Sequence, residues 1–148
     1  MFDENWALLE ATKIASESPC QSKRGVIIWH REHGIVSGGY NNQPSGFSCD
    51  GSEKCRCNCA KTAVHAEQAA LIKAISVEKR FSLSECEMLH VKSVEGNAVF
   101  SEKPRCWQCS KLILEAGLDK MWLYLESGLK SYSAEDFHKI TLENNDLL

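Results

Sequence analysis

The sequence predicts one α/β domain, in which helical stretches alternate with short apolar strands. Three observations carry that expectation. Segments with helical apolar spacing and capping residues at their ends lie between runs rich in β-branched residues. Two of those runs, Gly25 to His30 and Ile35 to Tyr40, are separated only by Arg31 to Gly34 and so form a β-hairpin. A third, M-W-L-Y-L within Lys120 to Leu125, is continuous enough in apolar character to be buried in a parallel sheet. At 148 residues, 43% apolar and 25% charged, the chain suits a single globular core, and no second domain is expected.

The elements follow in order. Asp3 to Ser18 reads as a helix: Asp3 is its N-cap, Ala7, Ala11, Ile14 and Ala15 share one face, and Pro19 ends it. After the hairpin, Gln43 to Lys61 has too little apolar content for an element and reads as a loop, yet it holds Cys49, Cys55, Cys57 and Cys59. Ala63 to Lys79 is a helix capped by Thr62, with Ala66, Ala70, Leu71, Ala74 and Ile75 on its buried side. Glu87 to Val94 is a strand, and Glu95 to Asn97 turns into a short β excursion through Ala98 to Phe100. Cys106 to Ala116 is a helix closed by Gly117, and Lys120 to Leu125 is the next strand. Ser133 with Asp136 makes a capping box for a last helix to about Leu142, leaving 143–148 as a mobile tail. No further strand is evident.

Composition excludes several classes of function. Asp3, Glu4, Glu10, Lys13 and Glu17 break up the first twenty residues, which therefore lack the apolar core of a secretion signal. No apolar run approaches the length of a membrane span. A net charge of -3 lacks the electrostatic footprint of a general nucleic-acid binder. Eight cysteines without a signal, and clustered, point to thiols and metal rather than disulfides, with the cytoplasm as the expected compartment.

The chemistry lies in two segments. Thr62 to Leu71 reads T-A-V-H-A-E-Q-A-A-L, and Pro104 to Cys109 reads P-R-C-W-Q-C. Residues two apart do not face one another along a helix, so His65 and Glu67 can converge only at a helix end. Cys106 and Cys109, three apart, share one face of a first helical turn. Two helix N-termini then point at one metal, and their partial positive charge favours thiolate. His65, Cys106 and Cys109 as zinc ligands leave the fourth tetrahedral position open for water, the pattern of a catalytic rather than a structural site. Zinc lowers the pKa of such a water to about 7. Glu67, which is not a ligand, is then the proton carrier. A purely structural site has no need of that carboxylate, which weighs against a non-catalytic zinc-stabilised binding module.

H-x-E with P-C-x-x-C is the signature of the zinc nucleobase deaminases. The chain resembles the cytidine and deoxycytidylate deaminase superfamily, closest in pattern to the bacteriophage-type deoxycytidylate deaminases. Arg105, between Pro104 and Cys106, departs from the usual proline directly before the first cysteine. S-P-C-Q-S-K-R-G-V-I-I followed by G-G-Y-N-N-Q-P-S-G extends the likeness through the N-terminal half. The resemblance implies a three-layer α-β-α sandwich around a mixed sheet, the hairpin followed by parallel strands. It implies hydrolytic deamination of a cytosine nucleotide or nucleoside, dCMP to dUMP as the specific expectation, in a homo-oligomer. The alternative substrate is a base in tRNA or single-stranded nucleic acid, which the acidic net charge disfavours.

The resemblance also assigns substrate contacts. Asn41, in G-Y-N, takes the sugar; the backbone N–H of Ala66 takes the base; Lys23 and Arg24, ahead of the first strand, are candidates for the phosphate. Turn chemistry and solvated surface charge are the competing explanations for these residues. Trp107, between the ligands, either stacks on a base or packs, and Cys86 reads as an inert buried thiol. Cys20 and Cys49 occupy positions resembling those of two structural zinc ligands in the bacteriophage enzymes. Cys55 and Cys59 are the expected completion of that second site, with Cys57 the close alternative, and four thiolates would close the tetrahedron.

Overall fold

The computed structural model describes residues 1–148, the side chain of Cys57 excepted. Its elements run α1 (Glu4–Ser16), β1 (Lys23–His30), β2 (Gly34–Tyr40), α2 (Glu53–Thr62), α3 (Ala66–Ser76), β3 (Glu87–Val94), β4 (Asn97–Val99), α4 (Trp107–Ala116), β5 (Lys120–Leu125), β6 (Gly128–Ser133) and α5 (Ala134–Glu143). The strands form one sheet in the order β2-β1-β3-β5-β6, with β4 paired to β3 beyond the main path. β1 is antiparallel to β2 and β3, β3 and β5 are parallel, and β6 returns antiparallel to β5. The mixed sheet inferred from the sequence is thus present. No helix is long and apolar enough to cross a membrane.

Strand alternation divides the core into two layers. Ile27, Trp29, Leu89 and Val91 pack against Ala7, Ala11 and Ala15 of α1. Val26, Ile28 and Met88 face the other way, onto Ala66, Ala70, Leu71 and Ala74 of α3, Ile113 of α4 and Phe137 of α5. One helix therefore covers one face and three cover the other. Glycines set the closest approaches. A Cβ on Gly25 would lie 2.4 Å from Ala15 N, and one on Gly39 would lie 2.6 Å from Ala70 N. Gly38 and Gly39 are thus strand residues that let helices rest on the sheet, rather than residues of a turn.

At one end of the sheet, Arg31 grips the buried Glu87 with Nε and Nη2 at 2.6 and 2.9 Å, and Trp122 Nε1 donates to the same carboxylate at 2.8 Å. Burial pushes Glu87 up, but these donors outweigh it and hold its pKa below the usual carboxylate range.

Three departures from the sequence-based expectation follow from local chemistry. The stretch read as a loop over Gln43 to Lys61 contains α2, nucleated by Ser52, whose hydroxyl accepts from Cys55 N at 3.1 Å. Thr62 therefore ends α2 instead of capping α3. His65 occupies the N-cap position of α3, and the Gln68 side chain accepts from His65 N at 3.0 Å. β6 was not expected because G-L-K-S-Y-S lacks an apolar alternation; its pairing along β5 forms it. At the C-terminus, Asn144 and Asn145 donate to Pro104 O and Arg105 O, both at 2.8 Å, so the end of the chain holds the segment leading into Cys106.

Candidate active site

The two helix N-termini meet as the spacing requires. His65 sits at the start of α3 and Cys106 at the N-cap of α4, where its sulfur accepts from Cys109 N at 3.3 Å. His65 Nδ1 lies 3.2 Å from Cys109 Sγ and 3.3 Å from Cys106 Sγ, and the two sulfurs are 3.0 Å apart. Among the described residues this is the one cluster of three or more metal-ligating side chains whose ligand atoms all lie within 4.8 Å of one another. A triangle that small lets one ion reach all three donors at Zn–S and Zn–N lengths of about 2.3 and 2.0–2.1 Å.

Outer contacts prepare the donors. His65 Nε2 lies 2.7 Å from Ala60 O, and a carbonyl can only accept, so Nε2 carries a hydrogen and Nδ1 is the nitrogen that faces the sulfurs and is left to bind a metal once its own proton is lost. Without metal, Cys106 is lowered to about 5, first by its contact with Cys109 and then by His65 against the cost of burial. His65 is raised to about 9, chiefly by Cys106. Cys109, beside that thiolate, buried and near Glu67, is pushed up and keeps its proton. These are soft nitrogen and sulfur donors of the type zinc selects.

Glu67 lies in the first turn of α3 and is mostly buried. His90 of β3 places Nε2 3.5 Å from Glu67 Oε1, both side chains being 13% exposed. Burial lowers the His90 pKa, against the pull of Glu67, so the imidazole is neutral at pH 7. Glu67 is thus held between a strand residue and the metal-ligand cluster.

The comparisons with known proteins bear on this arrangement. A family model described as the cytidine and deoxycytidylate deaminase zinc-binding region matches residues 1–125. The chain belongs to this family. It is accordingly a zinc-dependent hydrolytic deaminase of cytosine compounds. Among solved structures it is similar to the apo dCMP deaminase from the cyanophage S-TIM5, at 26% identity and a TM-score of 0.57, over 79% of this chain and 78% of that one. Cytidine deaminases from Mycobacterium tuberculosis (14% identity, TM-score 0.57, 90% and 92% covered) and Mycobacterium leprae (17%, 0.51, 87% and 94%) share the fold. The comparison with curated proteins returned no match.

The other residues singled out in the sequence have distinct places in this deaminase. Ala66 is the first residue of α3, so its N–H is among the donors that no helix carbonyl can reach. Asn41 is buried. Its Oδ1 accepts from Ser18 Oγ at 2.8 Å and Arg24 N at 2.9 Å, and its Nδ2 donates to Ser22 O at 2.7 Å, leaving one amide hydrogen without a partner among the described residues. Lys23 and Arg24 part company. Lys23 shares the α1 side of the sheet with Gly25 and donates to Ser18 O beyond the end of α1. Arg24 shares the α3 side with Val26, the side on which His90 meets Glu67. Trp107 is 39% exposed, with Lys111 Nζ 5.2 Å above its ring.

Of the remaining cysteines, Cys86 is buried and pushed up to about 11, mainly by burial. Cys55 and Cys49 bring their sulfurs to 3.4 Å. Cys59 is pushed up to about 11 by burial and then by the neighbouring Cys20. The four form two adjacent pairs, and among the described residues no three of them come within 4.8 Å of one another. The alternative ligand Cys57 lies outside the described side chains. Sequence reasoning missed Ala60, Gln68, His90, Asn144 and Asn145, which orient the site without carrying a motif. The capping partner three residues after His65 was the one signal that could have exposed Gln68.

Proposed function

We propose that this deaminase hydrolyses a cytosine nucleotide, with dCMP as the first substrate, so that dCMP and water give dUMP and ammonia. The observation that carries this is the convergence of His65, Cys106 and Cys109 with Glu67 at two helix N-termini. The similarity to a phage dCMP deaminase supports the choice of nucleotide. His65, Cys106 and Cys109 would hold the catalytic zinc, whose charge makes water acidic enough to act near neutral pH. Glu67 takes a proton from the attacking water and returns it to the departing amino group. His90 and the first turn of α3 hold that carboxylate in place, so little reorganisation is needed at the moment of transfer. The Ala66 N–H orients the base, the remaining amide hydrogen of Asn41 meets the sugar, and Arg24 meets the phosphate. The position of Lys23 on the α1 side argues for a structural role instead.

A second, structural zinc on Cys20, Cys49, Cys55 and Cys59 belongs to the same proposal, supported by the two neighbouring thiol pairs. It requires the start of α2 to close onto Cys20 when metal binds. A homo-oligomer working on free nucleotides in the cytoplasm completes it. An ammonia-release screen across cytosine and adenine nucleosides and nucleotides, with single-stranded oligomers beside them, tests the assignment. dCMP is expected to be the best substrate, and preferential release from an adenine compound or a single-stranded oligomer would overturn it.

A further inference from the structure

The strand register places two cations opposite one another near the site. Arg24 of β1 pairs directly with Lys92 of β3, and His90, two residues before Lys92, is the residue that meets Glu67. Alternation puts Arg24, His90 and Lys92 on the same side of the sheet, the side covered by α3. Directly opposed like charges in an antiparallel pair destabilise a sheet, so such a pair needs an anion to offset it. Among the described residues the only carboxylate paired with either is Glu102, which lies 4.0 Å from Lys92 Nζ and is 73% exposed. An ion pair that loose and that wet contributes little. Ser22 Oγ, the one buried side-chain oxygen or nitrogen without a partner among the described residues, lies two residues before Arg24 on the stretch that Asn41 ties down.

We infer that Arg24 and Lys92 together form the phosphate subsite of this deaminase, with Glu102 as a counter-ion that the substrate's phosphate displaces. The inference rests on the nucleotide-deaminase assignment above and names the residues that would make it selective for the monophosphate. Lys92 lies about 7 Å along β3 from His90. A nucleotide with its ring amino group near Glu67 and its 5′-phosphate toward Lys92 runs in that direction. The β3–β4 hairpin gives the subsite its outer wall: Lys92 also pairs with Val99 of β4, and Glu102 follows shortly after on the same excursion. The excursion between β3 and α4 thereby places an exchangeable anion at the mouth of the site.

The test is steady-state turnover of dCMP and deoxycytidine by the zinc-loaded protein and by Lys92→Gln, Arg24→Gln, Lys92→Arg and Glu102→Gln. Losing a charge-assisted contact to phosphate should cut kcat/KM for dCMP at least tenfold more than for deoxycytidine in Lys92→Gln and in Arg24→Gln, mostly through KM. Lys92→Arg should recover most of the loss, because it keeps the charge. Glu102→Gln should lower KM for dCMP a few-fold, because a competing anion is gone. Equal losses on both substrates, or no loss on dCMP, would overturn the inference. If the unaltered protein turns over deoxycytidine as well as dCMP, the subsite fails while cytosine deamination stands. If it turns over neither, both fail.

Discussion

Gly39→Ala probes how the catalytic helix is carried by the sheet. A Cβ at this position would meet Ala70 N at 2.6 Å and both Ala66 O and Ala69 Cβ at 2.9 Å. To restore ordinary contact, α3 must retreat from β2 by about 0.8 Å, since backbone atoms cannot rotate away as a side-chain tip can. Overpacking of this kind costs about 1–3 kcal/mol, which lowers Tm by roughly 3–10 °C in a chain of this size. The helix that moves carries His65 at its N-cap and Glu67 in its first turn, and a misplacement of about 1 Å can cost roughly 100-fold in rate. Gly25→Ala is the matched control. Its Cβ would meet Ala15 N at 2.4 Å and Ala11 O at 2.5 Å, displacing α1, which holds no reacting group. Both variants should lose Tm by similar amounts, but only Gly39→Ala should lose kcat for ammonia release, by about 30- to 100-fold when assayed well below its Tm. A Gly39→Ala protein with wild-type Tm and kcat would refute the backbone-on-backbone seating of α3.

Three further outcomes follow. Glu67→Gln should keep zinc and Tm yet lose turnover by several orders of magnitude, because in the proposed mechanism one carboxylate serves both proton steps and each is worth about 100- to 10,000-fold; near-normal kcat would remove it from the mechanism. Glu87→Gln should cost about 2 kcal/mol at pH 7, since Arg31 and Trp122 bond the charged carboxylate. The folded pKa of Glu87 is lowered, so its contribution is present above the ordinary carboxylate range and lost as pH falls through the folded value. Denaturant titrations should therefore show a shallower acid limb below about pH 4.5 in the variant, and parallel acid limbs would contradict this. Cys20→Ser or Cys49→Ser should reduce metal content from two zinc ions per chain to one and loosen the wall beside Asn41, which elemental analysis and hydrogen exchange can read. A wild-type content of one, without stripping agents, would sink the second site.

Glu87–Val94 and Lys120–Leu125 have the bounds expected from sequence, the second because M-W-L-Y-L is an unbroken apolar run and the first because apolar residues recur at Met88, Leu89, Val91 and Val94. α2 was not, because ten residues of polar and cysteine character carry no core-facing stripe, and only the Ser52 cap marks its start. Missing it shifted the expected start of α3 to Ala63, with Thr62 as its cap, although the reason for placing His65 and Glu67 at a helix end stands independently of that boundary. The ligand triangle was legible because metal chemistry constrains residue type and spacing together. Its supports were not, since Ala60 contributes a carbonyl and Asn144 and Asn145 reach back from the far end of the chain. The difference between Lys23 and Arg24 is likewise invisible in composition. It arises from strand alternation, which sends neighbouring side chains to opposite faces, and from the register that sets Arg24 against Lys92.

Ammonia release from dCMP by the purified protein, measured as isolated, after zinc removal and after zinc is restored, tests the central claim most directly. The expected result is one ammonia per dUMP formed, lost with the metal and recovered on its return, and absent in metal-replete Glu67→Gln. A zinc-loaded, folded protein that releases no ammonia from dCMP or any other cytosine compound would contradict it.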